Sequence, residues 1–202
     1  MPKPLPLSFF RRPADVVAPE LLGCTLIVTQ QQFSARAPQR PSAAPQRLRA
    51  TITEVEAYLG VTDPASHVWQ ERRTKGVLHL YSPPGTWYVY KSHGLHWCCN
   101  LTTRGPAEGH AVLLRGVVVS EPESLKVVKR RRDGVVERQL TNGPGKLTQA
   151  LGIDISLDGT LMHRSWATVH PAPRTSHFGP VLATPRIGLT RAVDWPLRWV
   201  MK

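Results

Sequence analysis

Apolar and polar residues alternate with a period of two through TITEVEAYLG, residues 51–60. That period predicts a strand with Glu54, Glu56 and Tyr58 on one face and Thr53, Val55 and Ala57 on the other. PPGTWYVYKSHG predicts a turn, a strand and a second turn, with Tyr88 and Tyr90 sharing a face. HWCCNLT predicts another short strand, and the nearly continuous apolar run HAVLLRGVVV a buried central one. Upstream, residues 15–24 read as short helical pieces, Pro19 opening a turn and Gly23 closing it, followed by a strand at CTLIVT. Residues 122–133 predict a basic helix, and TNGPGKLTQALGI a short helix stopped at Gly152. RIGLTRAV and LRWVM read as two closing strands. Strands and helices in this irregular order predict one α+β domain over residues 1–202. The Ala, Pro, Gln and Arg-rich stretch 30–47 has no apolar period and reads as an exposed loop insertion within it.

Charge narrows the partners. The 26 Lys and Arg against 14 Asp and Glu give a net charge of +12. Such an excess favours a polyanion, either nucleic acid or an acidic membrane. No apolar run approaches the length of a membrane span. MPKPLPLSFFRRP lacks the sustained apolar segment and cleavage site of a signal peptide. Three cysteines, Cys24, Cys98 and Cys99, without CxxC spacing argue against a disulfide framework and a zinc site, and fit a reducing cytoplasm. GxxxxGK[ST], HExxH, GxSxG and the zinc-deaminase pattern HxE with PCxxC are all missing from the sequence. The basic helix carries no zinc-finger or clear helix-turn-helix pattern, which disfavours a sequence-reading transcription factor.

Glu56, on a strand face two positions from an aromatic and shortly before DPASH, has the setting of a general base or of a solvated strand-face carboxylate. Glu54 shares that face, so the sequence leaves open which of the two enters a pocket. Tyr58, Tyr90 and His67 supply the aromatic walls and polar edges that hold an extruded base, although each residue type also serves in ordinary cores. Arg115 interrupts AVLLRGVVV: either the strand surfaces there or the guanidinium meets a carboxylate, Glu56 being the candidate. Gly143-Pro144-Gly145-Lys146, opening a short helix, has the makings of a phosphate cradle.

ITEVEAYLGVTDPASH, PPGTWYVYKSHGLHWCCN, AVLLRG and LTNGPGKLTQALGI, in this order, resemble the alkyladenine (methylpurine) DNA glycosylase family from about residue 8 to the C-terminus. The resemblance implies a curved antiparallel sheet with flanking helices and a protruding hairpin that enters the DNA minor groove. It implies Glu56 as general base, with Arg115 beside it. Tyr58, Tyr90 and His67 become the walls around a flipped base, and Ala65 and Ser66 complete the pocket with their main chain. Asn100 corresponds to the residue that crowds the exocyclic amino group of guanine. Gly143, Gly145 and Lys146 correspond to a DNA-backbone contact. The implied partner is duplex DNA containing damaged purines, bound by a cytoplasmic, nucleoid-associated monomer without metal or cofactor.

Two positions depart from the family pattern. His93 stands at the hairpin tip where the family has a wedging tyrosine, with Lys91, Leu95 and His96 as its neighbours, and Leu80 replaces a frequent methionine in the pocket wall. Two rival readings are a lesion-binding protein with weak or no turnover and an RNA-binding module using the basic surface alone. The second gives no reason for Glu56, Tyr58, Tyr90 and Arg115 to occur together.

Overall fold

Four strands of the sheet present apolar residues to one side and the candidate chemistry to the other. The computed structural model describes residues 2–30, 33–34, 37–41, 46–173 and 179–202. Helices α1 (Leu7–Phe10) and α2 (Ala14–Leu21) precede strand β1 (Thr25–Gln30). The short strands β2 (Phe33–Ser34) and β3 (Ala37–Pro41) pair with each other, and β4 (Gln46–Tyr58) follows. The stretch read as a loop insertion therefore contains strand pairing; the rest of it, residues 31–32, 35–36 and 42–45, lies outside the described residues. Strands β5 (Trp87–Ser92), β6 (His96–Thr103) and β7 (His110–Val118) lead to helices α3 (Pro122–Arg131) and α4 (Pro144–Leu151). Strands β8 (Ala167–His170), β9 (Val181–Thr184) and β10 (Arg198–Met201) complete a curved antiparallel α+β domain.

The main sheet runs β5-β6-β7-β4-β1-β8. Strand β4 is long enough to pair along one edge with β7, and along the other with β1 first and β10 further on. Period-two alternation then sorts the side chains. Trp87, Val89, Cys99, Leu101, Val112, Leu114, Val55 and Ala57 join the main core beneath the helices. Their sequence neighbours Tyr88, Tyr90, Cys98, Asn100, Leu113 and Tyr58 line a cavity on the opposite face.

The alternation changes phase once, in β4 and β7 together. Ile52 pairs with Val117 and Val55 with Leu114, and all four lie in the core although Ile52 and Val55, like Leu114 and Val117, are an odd three positions apart along the strand. Between them Glu54 sits opposite Gly116, leaving Thr53 and Arg115 out of register. This shared irregularity turns Glu54, Glu56 and Tyr58 toward the cavity side, an effect typical of bulges beside functional sites. Strict alternation through TITEVEAYLG holds only beyond Thr53.

Helix α2 buries Ala14, Val17, Ala18 and Leu21, the i, i+3, i+4, i+7 stripe of an amphipathic helix. Pro19 lies inside that helix instead of opening a turn, because the apolar stripe runs through it and only two residues follow. Gly23, at φ 79°, closes the segment as expected. Helix α4 ends on the left-handed Gly152 (φ 69°). A second departure from sequence expectation is RIGLTRAV, which forms no strand; Val181–Thr184 is the partner of β10. Among the described residues no helix is long and apolar enough to cross a membrane.

Gly60 lies just beyond β4 and is confined twice. Its φ is 65°, and a Cβ there would lie 1.7 Å from the Glu108 carbonyl oxygen. Gly60→Ala is expected to cost more than about 2 kcal/mol, combining left-handed strain with that backbone clash. Urea unfolding measures it; a midpoint within error of the wild type contradicts the assignment.

Candidate active site

The cavity measures about 540 Å³, within the range of small-molecule sites of roughly 300–1,000 Å³. The aromatic faces of β5 form one wall, where Tyr88 and Tyr90 stack with centroids 5.4 Å apart. His67 stands edge-on to Tyr90 at 4.6 Å, and its Nδ1 lies 3.0 Å from the Tyr88 hydroxyl. Leu80, Ala65 and Ser66 close the sides. Asn100 projects from β6 with its Nδ2 donating to the Tyr88 carbonyl at 3.0 Å, which fixes the amide in the wall. Lys91, Ser92 and His93 of the hairpin, Pro144, and Ile187 to Leu189 rim the mouth.

Behind this wall lies Glu56, with no exposed surface. Every partner of its carboxyl group is a donor. The Tyr58 hydroxyl donates to Oε2 at 2.9 Å, the Ile187 backbone N–H donates to Oε1 at 2.8 Å, and Arg115 Nη1 lies 3.3 Å from Oε1. Tyr58, Arg115 and Ile187 line the cavity, so they stand between it and the carboxylate. Of the two readings of Arg115 the structure selects the second: the guanidinium points at carboxylates, 12% exposed. Burial alone lowers its pKa, but Glu56 and Glu54 outweigh that and raise it.

Neighbouring groups are tuned the same way. Burial, reinforced by the Glu56 carboxylate, raises the Tyr58 pKa, so its phenol stays a donor. Burial likewise raises those of Tyr88 and Tyr90. The Cys98 thiol is also pushed up by burial, partly offset by Tyr90 and Arg115. His67 borders the open cavity, yet the walls withdraw enough solvent to lower its pKa, and Arg72 adds to the effect.

The segment that carries Ile187 is held from a distance. Arg186 and Asp63 form an ion pair with both side chains fully buried, Nη2 to Oδ1 at 2.9 Å. The guanidinium also donates to the Ala57 carbonyl and lies over the Tyr58 ring at 4.7 Å. Asp63 accepts from the backbone of Leu59 and Ala65, so one carboxylate ties the end of β4, the 59–65 loop and residue 186 together. Further out, the Arg191 guanidinium lies over the Trp69 ring at 4.4 Å, joining the two loops again.

Of the expected residues, Tyr58, His67, Tyr90, Asn100, Leu80, Ala65, Ser66, Arg115, Lys91 and His93 all line the cavity. Leu95 does not; it is 71% exposed in the hairpin turn. Lys146 is turned to Asn142, and Gly143 caps α4. Gly145 has a packing reason of its own: a Cβ there would meet that of His96 at 2.6 Å, so the glycine lets α4 approach the hairpin. Missed from sequence were Tyr88 as a wall, Asp63 with Arg186, and Ile187. Among the described residues no group of His, Cys, Asp and Glu is arranged to hold a metal ion.

An aromatic cavity with a buried carboxylate at its back stands here on a curved antiparallel sheet. The sequence model of the methylpurine-DNA glycosylase family matches residues 8–202, and the chain belongs to that family. It is 35% identical over 199 residues to a protein of Rhodopseudomonas palustris (strain HaA2) named "Putative 3-methyladenine DNA glycosylase", covering 98% of this chain and 87% of that one. A protein of the same name from Methanoculleus marisnigri is 36% identical over 201 residues, covering 98% and 95%.

Asp63→Asn is expected to cost about 3 kcal/mol by leaving the Arg186 charge buried and unpaired. Chemical denaturation measures it, and a loss below about 1 kcal/mol contradicts the role given to the pair.

Proposed function

We propose that the protein is a monofunctional DNA glycosylase that flips alkylated or otherwise damaged purines from duplex DNA and hydrolyses their N-glycosidic bond, with Glu56 activating the water. The observation that carries this reading is the fully buried Glu56 carboxylate, braced by Arg115 and Tyr58 behind an aromatic cavity, in a chain of this family. Alkylation at a ring nitrogen makes a purine cationic and a good leaving group. The enzyme then needs little acid catalysis and mainly a base for the attacking water. The water oxygen bonds to the glycosidic carbon, its proton passes to Glu56, and the bonding pair leaves with the purine, neutralising it. The carboxylate also offsets positive charge developing on the sugar, as in glycoside hydrolysis.

Tyr88, Tyr90 and His67 suit a flipped, cationic base, since electron-rich rings attract cations. Asn100, fixed in the wall, suits exclusion of the guanine amino group. Lys91 borders the cavity with its ammonium over the Trp97 ring at 5.6 Å, and we assign it no covalent role, so the reaction has no Schiff-base or lyase step. His93, in a left-handed conformation (φ 48°) ahead of Gly94, occupies the tip of the hairpin that we assign to the space vacated by the flipped nucleotide, with Leu95 beside it. Gly143, Gly145 and Lys146 serve as a DNA-backbone contact. We place the enzyme in the cytoplasm as a monomer on the nucleoid, its basic surface meeting phosphates. A histidine at that tip is what favours the alternative, a lesion binder with weak turnover.

The test is release of 3-methyladenine and 7-methylguanine from alkylated duplex DNA. Base release supports the enzyme; tight lesion binding with none supports the alternative. Asn100→Ser is expected to raise release of unmodified guanine by at least about tenfold, within reach of a single steric contact, and an unchanged rate contradicts the exclusion role. His93→Tyr is expected to tighten binding to lesion duplexes roughly fivefold through added stacking, whereas no change assigns the wedge to Leu95.

A further inference from the structure

Glu54 shares a strand face with Glu56 but does not line the cavity, and the reaction proposed above does not use it. Its surroundings are nonetheless built. It sits at the point where β4 and β7 change phase, opposite Gly116, where a Cβ would come within 3.1 Å of its own. A single oxygen, Oε1, receives two guanidinium groups: Arg115 Nε at 3.0 Å and Arg198 Nε at 2.6 Å. Arg198 is braced in turn by the Thr184 hydroxyl at 2.9 Å. Glu54 is thereby pinned from β7 and from β10, and of the two arginines Arg115 is the one that goes on to reach Glu56.

Arg115 is thereby divided between two carboxylates. Its Nε belongs to Glu54, and only Nη1 reaches Glu56, at 3.3 Å. An arginine free of Glu54 has the planar fork to take a carboxylate through two parallel hydrogen bonds. Such a clasp on Glu56 would occupy the lone pairs a water proton needs and would make the carboxylate a weaker base. We propose that Glu54 is a positioning residue: it holds Arg115 back from a two-point clasp on Glu56, leaving the carboxylate braced but available to water. The inference rests on the glycosylase reading and assigns Glu54 no contact with substrate.

Glu54→Gln removes the charge that holds Arg115 Nε and leaves at most a neutral acceptor there, so the guanidinium is free to turn its fork onto Glu56. The rate falls because the lone pairs of Glu56 are then occupied.

Single-turnover release of 7-methylguanine from alkylated duplex, measured beside lesion binding, tests this. Glu54→Gln is expected to lose roughly tenfold in release rate and to bind lesion duplex within about twofold of wild type. Arg198→Gln separates positioning from cross-strand bracing: it leaves the Arg115–Glu54 contact in place, so melting temperature falls while the rate stays within about twofold. If Glu54→Gln fails to fold, Glu54→Asp is measured instead: it keeps the charge but withdraws the oxygen from Arg115, and a fall in release rate with binding retained is again expected. A release rate unchanged in the Glu54 variant, or an equal loss in Arg198→Gln, overturns the inference alone. A wild-type protein that releases no base overturns the glycosylase reading and this inference with it.

Discussion

The carboxyl group of Glu56 has no exposed surface, and a buried acceptor of this kind persists only where donors surround it. Those donors come from three parts of the chain. Tyr58 is supplied by the same strand, Arg115 by the neighbouring strand, and the Ile187 N–H by a segment far along the sequence. That last segment is set by the buried Arg186–Asp63 pair, which also fixes the end of β4 and the loop bearing Ala65 and Ser66. Satisfying one carboxylate thus fixes the relative places of the strand pair, the 59–65 loop and the C-terminal segment, and with them two sides of the cavity.

The sheet supplies the rest by keeping its faces separate. Trp87, Leu101, Val112 and Leu114 commit one face to the core, so the alternate positions are free to carry tyrosines, a thiol, an amide and an arginine. Were the alternation uninterrupted through β4, Glu54, Glu56 and Tyr58 would share the face of Ile52 and enter the core. The paired irregularity at Glu54 and Gly116 prevents this, and it occurs beside the arginine that links the two carboxylates. Function and backbone irregularity coincide here because re-aiming a side chain requires departing from the ladder.

Much of this was legible in the sequence, for a local reason. Period-two patterning marks the part of β4 beyond Thr53, Tyr88 and Tyr90 fall on one face of β5, and a nearly continuous apolar run marks β7 as a buried central strand. Arg115 stood out because an arginine in an apolar run needs a partner. What escaped had no local signature. Ile187 acts through its backbone N–H, which any residue but proline carries. Asp63 and Arg186 are 123 positions apart, and neither is unusual in its own neighbourhood. RIGLTRAV reads as a strand from its apolar residues, yet Arg186 and Ile187 spend their polar groups on Asp63 and Glu56 instead of a ladder. Pro19 continues helix α2 although proline commonly opens a turn, because the amphipathic stripe around it outweighs that preference. Tyr88 was placed on the right face, but the contact that makes it a wall, with His67, joins two segments that only the fold brings together.

Replacing Glu56 by glutamine gives the most direct measurement, because it keeps the shape of the side chain while removing its capacity to take a proton. Binding to a lesion-containing duplex and single-turnover base release are measured on the same preparation. The account predicts binding close to that of the wild-type protein with release reduced by at least about a hundredfold, within the contribution of a positioned general base. Release close to the wild-type rate would contradict it, and so would a parallel loss of binding and release, since a carboxylate behind the wall is assigned to the chemistry and not to holding the base.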